Sequence, residues 1–341
     1  MNSSTLKQDV LPTDCYYRRI TYGARVFGLM LRLAGVVLLV VQIVQSLISF
    51  MRGTEVGWNT VFACVLSVLM VLASRRRVIE PAVAKFAAGT QSNRFNVFLF
   101  VIPFFLSALI LWVKVQIGPI TDAWKQVSSE GSLSEYGTAL AYLMVPIFAY
   151  PIAKLFRRQG RRLMSSLYYL LLAGAFFIGM EEISWGQRLI GFEEPEFWAR
   201  HNVQSEFTFH NLSFYQYNFL HNSFLLAGFV GSVSWVVLRL WRVWRRSFVS
   251  KRSVQLQLKR EQQKVDLNYL LPDWSVSSFF YPTFIFYYVL DHTDYGRSGI
   301  FLHQVDQEHW EFVMSLGVLL FVVISFFRQA REDDAMNRLD A

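Results

Sequence analysis

Residues 163–188 read LMSSLYYLLLAGAFFIGMEEISWGQR. The run from Leu163 to Met180 carries no charge, and it approaches the ~20 apolar residues that a helix needs to cross a bilayer core about 30 Å thick. A helix starting near Met164 would carry Glu181 about 26 Å along its axis, in the outer leaflet and short of bulk water. A carboxylate at that depth needs a partner, and here two stand side by side, Glu181 and Glu182. On a helix their side chains point about 100° apart, so they need different partners.

The rest of the chain repeats the apolar pattern. Of its 341 residues 53% are hydrophobic, with 31 Phe, 15 Tyr and 10 Trp, and the mean hydropathy is +0.30. The apolar residues come in long blocks, as a bilayer requires, rather than at the spacing of a soluble core. About eight spans follow, near 26–50, 57–74, 95–117, 134–156, 164–188, 213–238, 269–290 and 307–327. The fold class is therefore all-α, a polytopic transmembrane helix bundle. The loops alternate between basic (RRQGRR at 157–162, for example) and non-basic, with roughly 27 of the 33 Lys and Arg on one side. The positive-inside rule then predicts both termini in the cytoplasm. This gives a cytoplasmic arm at 1–25, a bundle at 26–328 with a basic cytoplasmic loop at 239–266, and a cytoplasmic tail at 329–341. Pro103, Pro146, Pro151 and Pro282 fall inside spans and predict kinks.

The net charge of +8 sits in these short loops, so it points to anionic lipid and away from nucleic acid. The two cysteines, Cys15 and Cys64, build neither a disulfide framework nor a CxxC metal site. The first apolar block is too long for the core of a signal peptide and reads as a retained helix. The expected location is a bacterial inner membrane, with membrane lipids as partners.

In this topology all six histidines fall at or beyond the non-cytoplasmic boundary. Three polar stripes reach the same depth. Glu181, Trp185 and Arg188 share one face of span five; Asn218, His221 and Asn222 share one face of span six; Glu308, Glu311 and Ser315 share one face of span eight. His210 and Asn211 precede span six, with Asn211 as its candidate N-cap. Buried polar groups in lipid face the bundle and pair with one another, which predicts that these stripes meet. Glu181, Glu182, Arg188, His210 and His221 are the candidate catalytic residues. His210, His221, Glu308 and Glu311 are candidate ligands for a divalent metal such as zinc, which would activate water. Asn211, Asn218 and Asn222 complete the polar set. Without a metal, one carboxylate would serve as general base. Trp185, Trp198 and Trp310 read as interfacial belt aromatics. HExxH, GxSxG, P-loop and GxGxxG motifs are absent from the sequence.

The stretch from EEISWGQR to the HN of His210-Asn211 resembles a motif in a group of uncharacterised bacterial polytopic membrane proteins. In that group an acidic segment precedes one span, here SEGSLSEYGTALAYL, and the EEISWGQR-type segment ends the next. The paired glutamates are also similar to those of the CAAX-protease and bacteriocin-processing superfamily of intramembrane proteases. That resemblance implies that Glu181 and Glu182 match the family's pair and that His210 or His221 matches a family histidine. The family pattern EExxxR is EEISWGQR here, with Arg188 two residues further on, and Tyr217 stands where FxxxH would place Phe. The function expected from the residues is a membrane-embedded hydrolase or transferase acting on a lipid, lipid-linked or membrane peptide substrate. The alternatives are a transporter or flippase with an ion-binding acidic cluster, and a non-enzymatic assembly or sensing protein.

Overall fold

The computed structural model describes residues 14–51, 58–118, 121–122, 124, 128, 132–187, 193, 195–202, 207–215, 219–248, 265–292 and 306–339. Among them the chain is helical, with no strand and one isolated bridge, from Asn202 to Leu212. The main helices are α1 (Asp14–Met51), α2 (Trp58–Ala73), α3 (Arg76–Gly89), α4 (Asn93–Ile117), α5 (Leu133–Arg158), α6 (Arg162–Glu182), α7 (Glu196–His201), α8 (His221–Phe248), α9 (Tyr281–His292) and α10 (Gln307–Leu339).

Among the described residues, six stretches are long and apolar enough to cross a membrane: Tyr16–Val44, Asn93–Ile117, Ser134–Arg158, Arg162–Glu182, His221–Trp244 and Gln307–Glu332. Their outward residues are greasy. Leu170, Phe105 and Leu240 are 69%, 64% and 64% exposed, a surface that water would penalise and lipid tails would not. This is the build of a multi-pass helical membrane protein.

Two of the eight expected spans differ from the other six. α2 has only 16 residues, short of a full crossing for a helix that runs straight. The 269–290 stretch is interrupted because Pro272 cannot donate to a helix. Asp273 then caps a new start by accepting the Trp274 N–H at 2.9 Å. A 3₁₀ turn at Ser278–Phe280 leads into α9. Pro282 falls in the first turn of α9, where a missing N–H is tolerated. α4 and α5 continue through Pro103, Pro146 and Pro151. α1 begins at Asp14, within the stretch expected to be a polar arm, and α8 starts at His221 rather than near 213.

The chain divides into two compact units, residues 1–92 with 327–341, and residues 93–326. In the first, Thr21 donates to Glu80 at 3.1 Å, Arg76 pairs with the same carboxylate at 2.7 Å, and Arg331 donates to the Ala87 carbonyl at 3.0 Å.

The second unit holds the polar stripes. Here α5 and α6 pack closely near Gly179, where a Cβ would come within 2.8 Å of Leu143 Cγ. A small residue at this crossing lets the helices approach, one turn before Glu182. Gly137 does the same for α5 and α10, since a Cβ there would lie 2.7 Å from the Phe312 ring. These two contacts bring the ends of α5, α6 and α10 together.

Candidate functional site

Helix α6 ends at Glu182, earlier than the 164–188 span anticipates. Ser184, Trp185 and Gly186 all take left-handed backbone, with φ of 49°, 52° and 86°. Only glycine adopts that region freely, and each non-glycine residue there costs about 1–3 kcal/mol. The turn is fixed by what it makes possible. Trp185 folds back so that its Nε1 donates to Glu181 Oε1. The two residues are therefore joined by the turn and not by a helical i, i+4 relation. Trp185 is thus a hydrogen-bonding group of the site.

The other oxygen of Glu181 holds the following loop. Oε2 accepts the backbone N–H groups of Phe209 at 2.7 Å and His210 at 3.0 Å, and His210 Nδ1 lies 3.3 Å away. The loop is tied down further by Phe207 N–H donating to Gln187 Oε1 at 2.6 Å, and by Asn202 and Trp198 donating to the Thr208 carbonyl at 3.0 and 3.2 Å. Phe177 packs against Trp185 and Phe209, with ring centroids 5.7 and 5.9 Å apart. Trp198 packs against Phe207 and Phe209, tilted to the first ring and edge-on to the second, and so takes part in the loop's packing. Glu181 is thus 4% exposed with both oxygens engaged. It anchors a loop and orients an imidazole.

Glu182 points elsewhere. It is 7% exposed, and among the described residues its carboxylate receives no hydrogen bond. It faces Glu308 and Glu311 of α10, and one carboxylate oxygen from each of the three lies within 4.8 Å of the others. Glu135 adds a fourth acid. It stands in the first turn of α5, whose N-cap Ser132 accepts the Glu135 N–H at 3.4 Å. Like charges at 4.8 Å repel by about 3 kcal/mol per pair at an effective dielectric constant of 20, so this group needs protons or a cation to coexist.

Two networks hold α10 in place. Glu311 Oε1 accepts the Tyr287 hydroxyl from α9. Just before α10, Asp306 accepts from Lys114 Nζ at 2.6 Å and from Trp124 Nε1 at 2.8 Å, all of them fully buried. His309 bonds Ser134 and packs on Trp124 with centroids 5.2 Å apart. Trp310 is also internal, 3% exposed and stacked on Phe286, and not a belt aromatic.

Between these elements lies a cavity of about 370 Å³. Its lining includes the polar side chains of Glu135, Glu181, Glu182, Glu308, Glu311, His210 and Asn211. Apolar side chains line it as well, among them Phe177, Ile178, Leu220, Phe224, Ala227 and Met314. Polar groups converging within an apolar pocket are the usual form of a small-molecule site. Every acid in it stands at a helix end. Glu135 and Glu308 are in first turns, Glu182 is the last residue of α6, and Glu311 is about 6 Å along α10.

The structure therefore brings together Glu181, Glu182, His210, Asn211, Glu308 and Glu311. It does not bring His221 to them. That imidazole pairs with Asp291 at 2.8 Å and meets the edge of Tyr287. His221 opens α8 on the side facing α9, so it does not join the metal set proposed from the sequence. Asn222 is exposed, outside the cavity lining. Asn211 is buried in the loop ten residues before α8, too far to cap it. Arg188 and Asn218 lie outside the described residues.

The sequence reading also missed groups. Tyr142 lines the cavity two turns after Glu135 on the same face of α5, a signal readable in SEYGTALAY. Lys114, the one charge in the apolar stretch from Phe95 to Ile117, was readable as a buried residue needing a partner. Tyr287 carried no such sign. Comparison with protein-family models, curated proteins and solved structures finds no match to this chain, so what the site does rests on its own residues.

Proposed function

We propose that this chain is a membrane-embedded hydrolase whose cavity opens at the non-cytoplasmic boundary of a bacterial inner membrane. Its substrate is an ester or amide carried by a lipid, lipid-linked molecule or membrane peptide. The observation that carries the reading is the Glu181–His210 pair at a cavity lined by both polar and apolar side chains.

Glu181 is the positioning residue. With Nδ1 held toward its carboxylate, the imidazole keeps Nε2 for a water molecule, the arrangement that makes histidine an effective general base. His210 takes a proton from water, and the resulting hydroxide attacks the substrate carbonyl. The proton then passes to the departing oxygen or nitrogen. The apolar residues of the lining suit an acyl chain or apolar side chain arriving from the bilayer.

The topology belongs to the same proposal. Six long helices, together with α2 and the broken 274–292 segment, make eight crossings. The basic loops then place both termini in the cytoplasm. The acids gather at helix ends rather than at the midplane, which favours an interfacial enzyme over a transporter, whose ion sites sit near the bilayer centre.

The test compares membranes from cells expressing wild-type protein or His210→Gln at matched levels, with lipids and membrane peptides profiled by mass spectrometry. A species that wild-type consumes and the variant leaves intact supports the reading. Identical profiles, with both proteins folded, overturn it.

A further inference from the structure

The reading above leaves Glu182, Glu308 and Glu311 without a task. We propose that these three carboxylates hold a hard divalent cation, of the Mg²⁺ or Mn²⁺ class, in the wall of the cavity. The inference deepens that reading by naming the ion of the same site, and it rests on it only for what the ion does.

The geometry fits an ion. Oxygens on opposite sides of a cation bonded at about 2.1–2.4 Å stand about 4–5 Å apart, and the three donor oxygens here lie within 4.8 Å of one another. Glu308 and Glu311 are one turn apart on a single face of α10, so one helix offers two ligands and the end of α6 supplies the third. A second observation points to a ligand independently of the acidic count. Glu182 is more than nine-tenths buried, lines the cavity, and accepts no hydrogen bond among the described residues. A carboxylate in that condition is stabilised by a cation or a proton. Tyr287 donating to Glu311 Oε1 fixes that carboxylate, as outer-shell partners do for metal ligands.

The donor set decides the class of ion. Among the described residues the group within ligand distance is made of carboxylate oxygens alone, with no histidine nitrogen in it. Oxygen-only ligation suits Mg²⁺ or Mn²⁺ over the zinc suggested by the sequence. Three carboxylates and one divalent ion leave a formal charge of −1, and a bound ion would polarise a substrate oxygen placed between it and His210.

Mn²⁺ is the probe. Purified full-length protein, stripped with EDTA and titrated with Mn²⁺, should bind one ion per chain by electron paramagnetic resonance, and excess Mg²⁺ should displace it. Glu182→Gln and Glu311→Gln should each weaken binding at least about tenfold, whereas His221→Gln should keep it. The wild-type spectrum needs no variant: it should show no nitrogen coupling from a ligating imidazole. Absence of saturable Mn²⁺ binding, a nitrogen-coupled signal, or binding indifferent to Glu182→Gln and Glu311→Gln would each overturn the proposal. Substrate conversion that continues in EDTA removes the ion's part in the reaction and leaves the hydrolase reading standing. Mn²⁺ held by these carboxylates in a protein that converts nothing supports the ion and removes that reading.

Discussion

Replacing each of the adjacent glutamates by glutamine should move stability in opposite directions. Glu181 takes hydrogen bonds from Trp185 Nε1, Phe209 N and His210 N. A glutamine there can turn its carbonyl toward the two backbone donors, but its NH₂ then faces the indole N–H. One buried donor is stranded, at about 1–3 kcal/mol, and the remaining bonds lose their charge assistance, at about 1 kcal/mol each. The sum is about 3–5 kcal/mol, or on the order of 10 °C in unfolding temperature for a unit of this size. Glu182 has no hydrogen bond to lose among the described residues. Its neutral variant sheds repulsion from Glu308 and Glu311 of about 3 kcal/mol per pair. In metal-free buffer Glu182→Gln should therefore match or exceed wild-type. The assay is thermal unfolding of detergent-purified protein in EDTA, followed by tryptophan fluorescence. Equal melting of Glu181→Gln and wild-type, or a Glu182→Gln variant as unstable as Glu181→Gln, would refute the division of roles.

Other consequences can be checked alongside. Lys114→Met should strand Asp306 beside Trp124 and cost about 3–5 kcal/mol, while Lys114→Met with Asp306→Leu should recover much of it in the same melting assay. Gly179→Val should push α6 away from Leu143 and destabilise by about 1–3 kcal/mol, and it should weaken Mn²⁺ binding by shifting Glu182 off α10. In a cysteine-free background, a cysteine at Glu193 should react with an impermeant thiol reagent in intact cells, and one at Arg158 only after permeabilisation. The reverse pattern would invert the membrane orientation.

Much of the bundle was legible because lipid imposes long apolar helices with charges at their ends, and the cost of burying Glu181 and Glu182 marked the site. The 100° separation of neighbouring helical side chains already required two partners for two glutamates. The periodicity of α10 likewise put Glu308 and Glu311 on one face. The partners themselves were not legible, because they come from turns and distant helices. A helical projection carries Trp185 and Arg188 along the face of Glu181, but the left-handed turn at Ser184–Gly186 ends the helix first. The sequence pattern puts His221 level with the glutamates, yet it takes Asp291, which lies seventy residues later in the chain. Periodicity gives depth and face, and it is silent on which helix stands opposite.

If the cavity activates water beside His210, oxygen-18 from labelled water must enter the product. Membranes carrying wild-type protein, incubated in labelled water, should release an acid product with the label in its new carboxyl group, and His210→Gln at equal abundance should not. Label appearing equally with both proteins, or a wild-type-dependent product that carries none, would contradict the account.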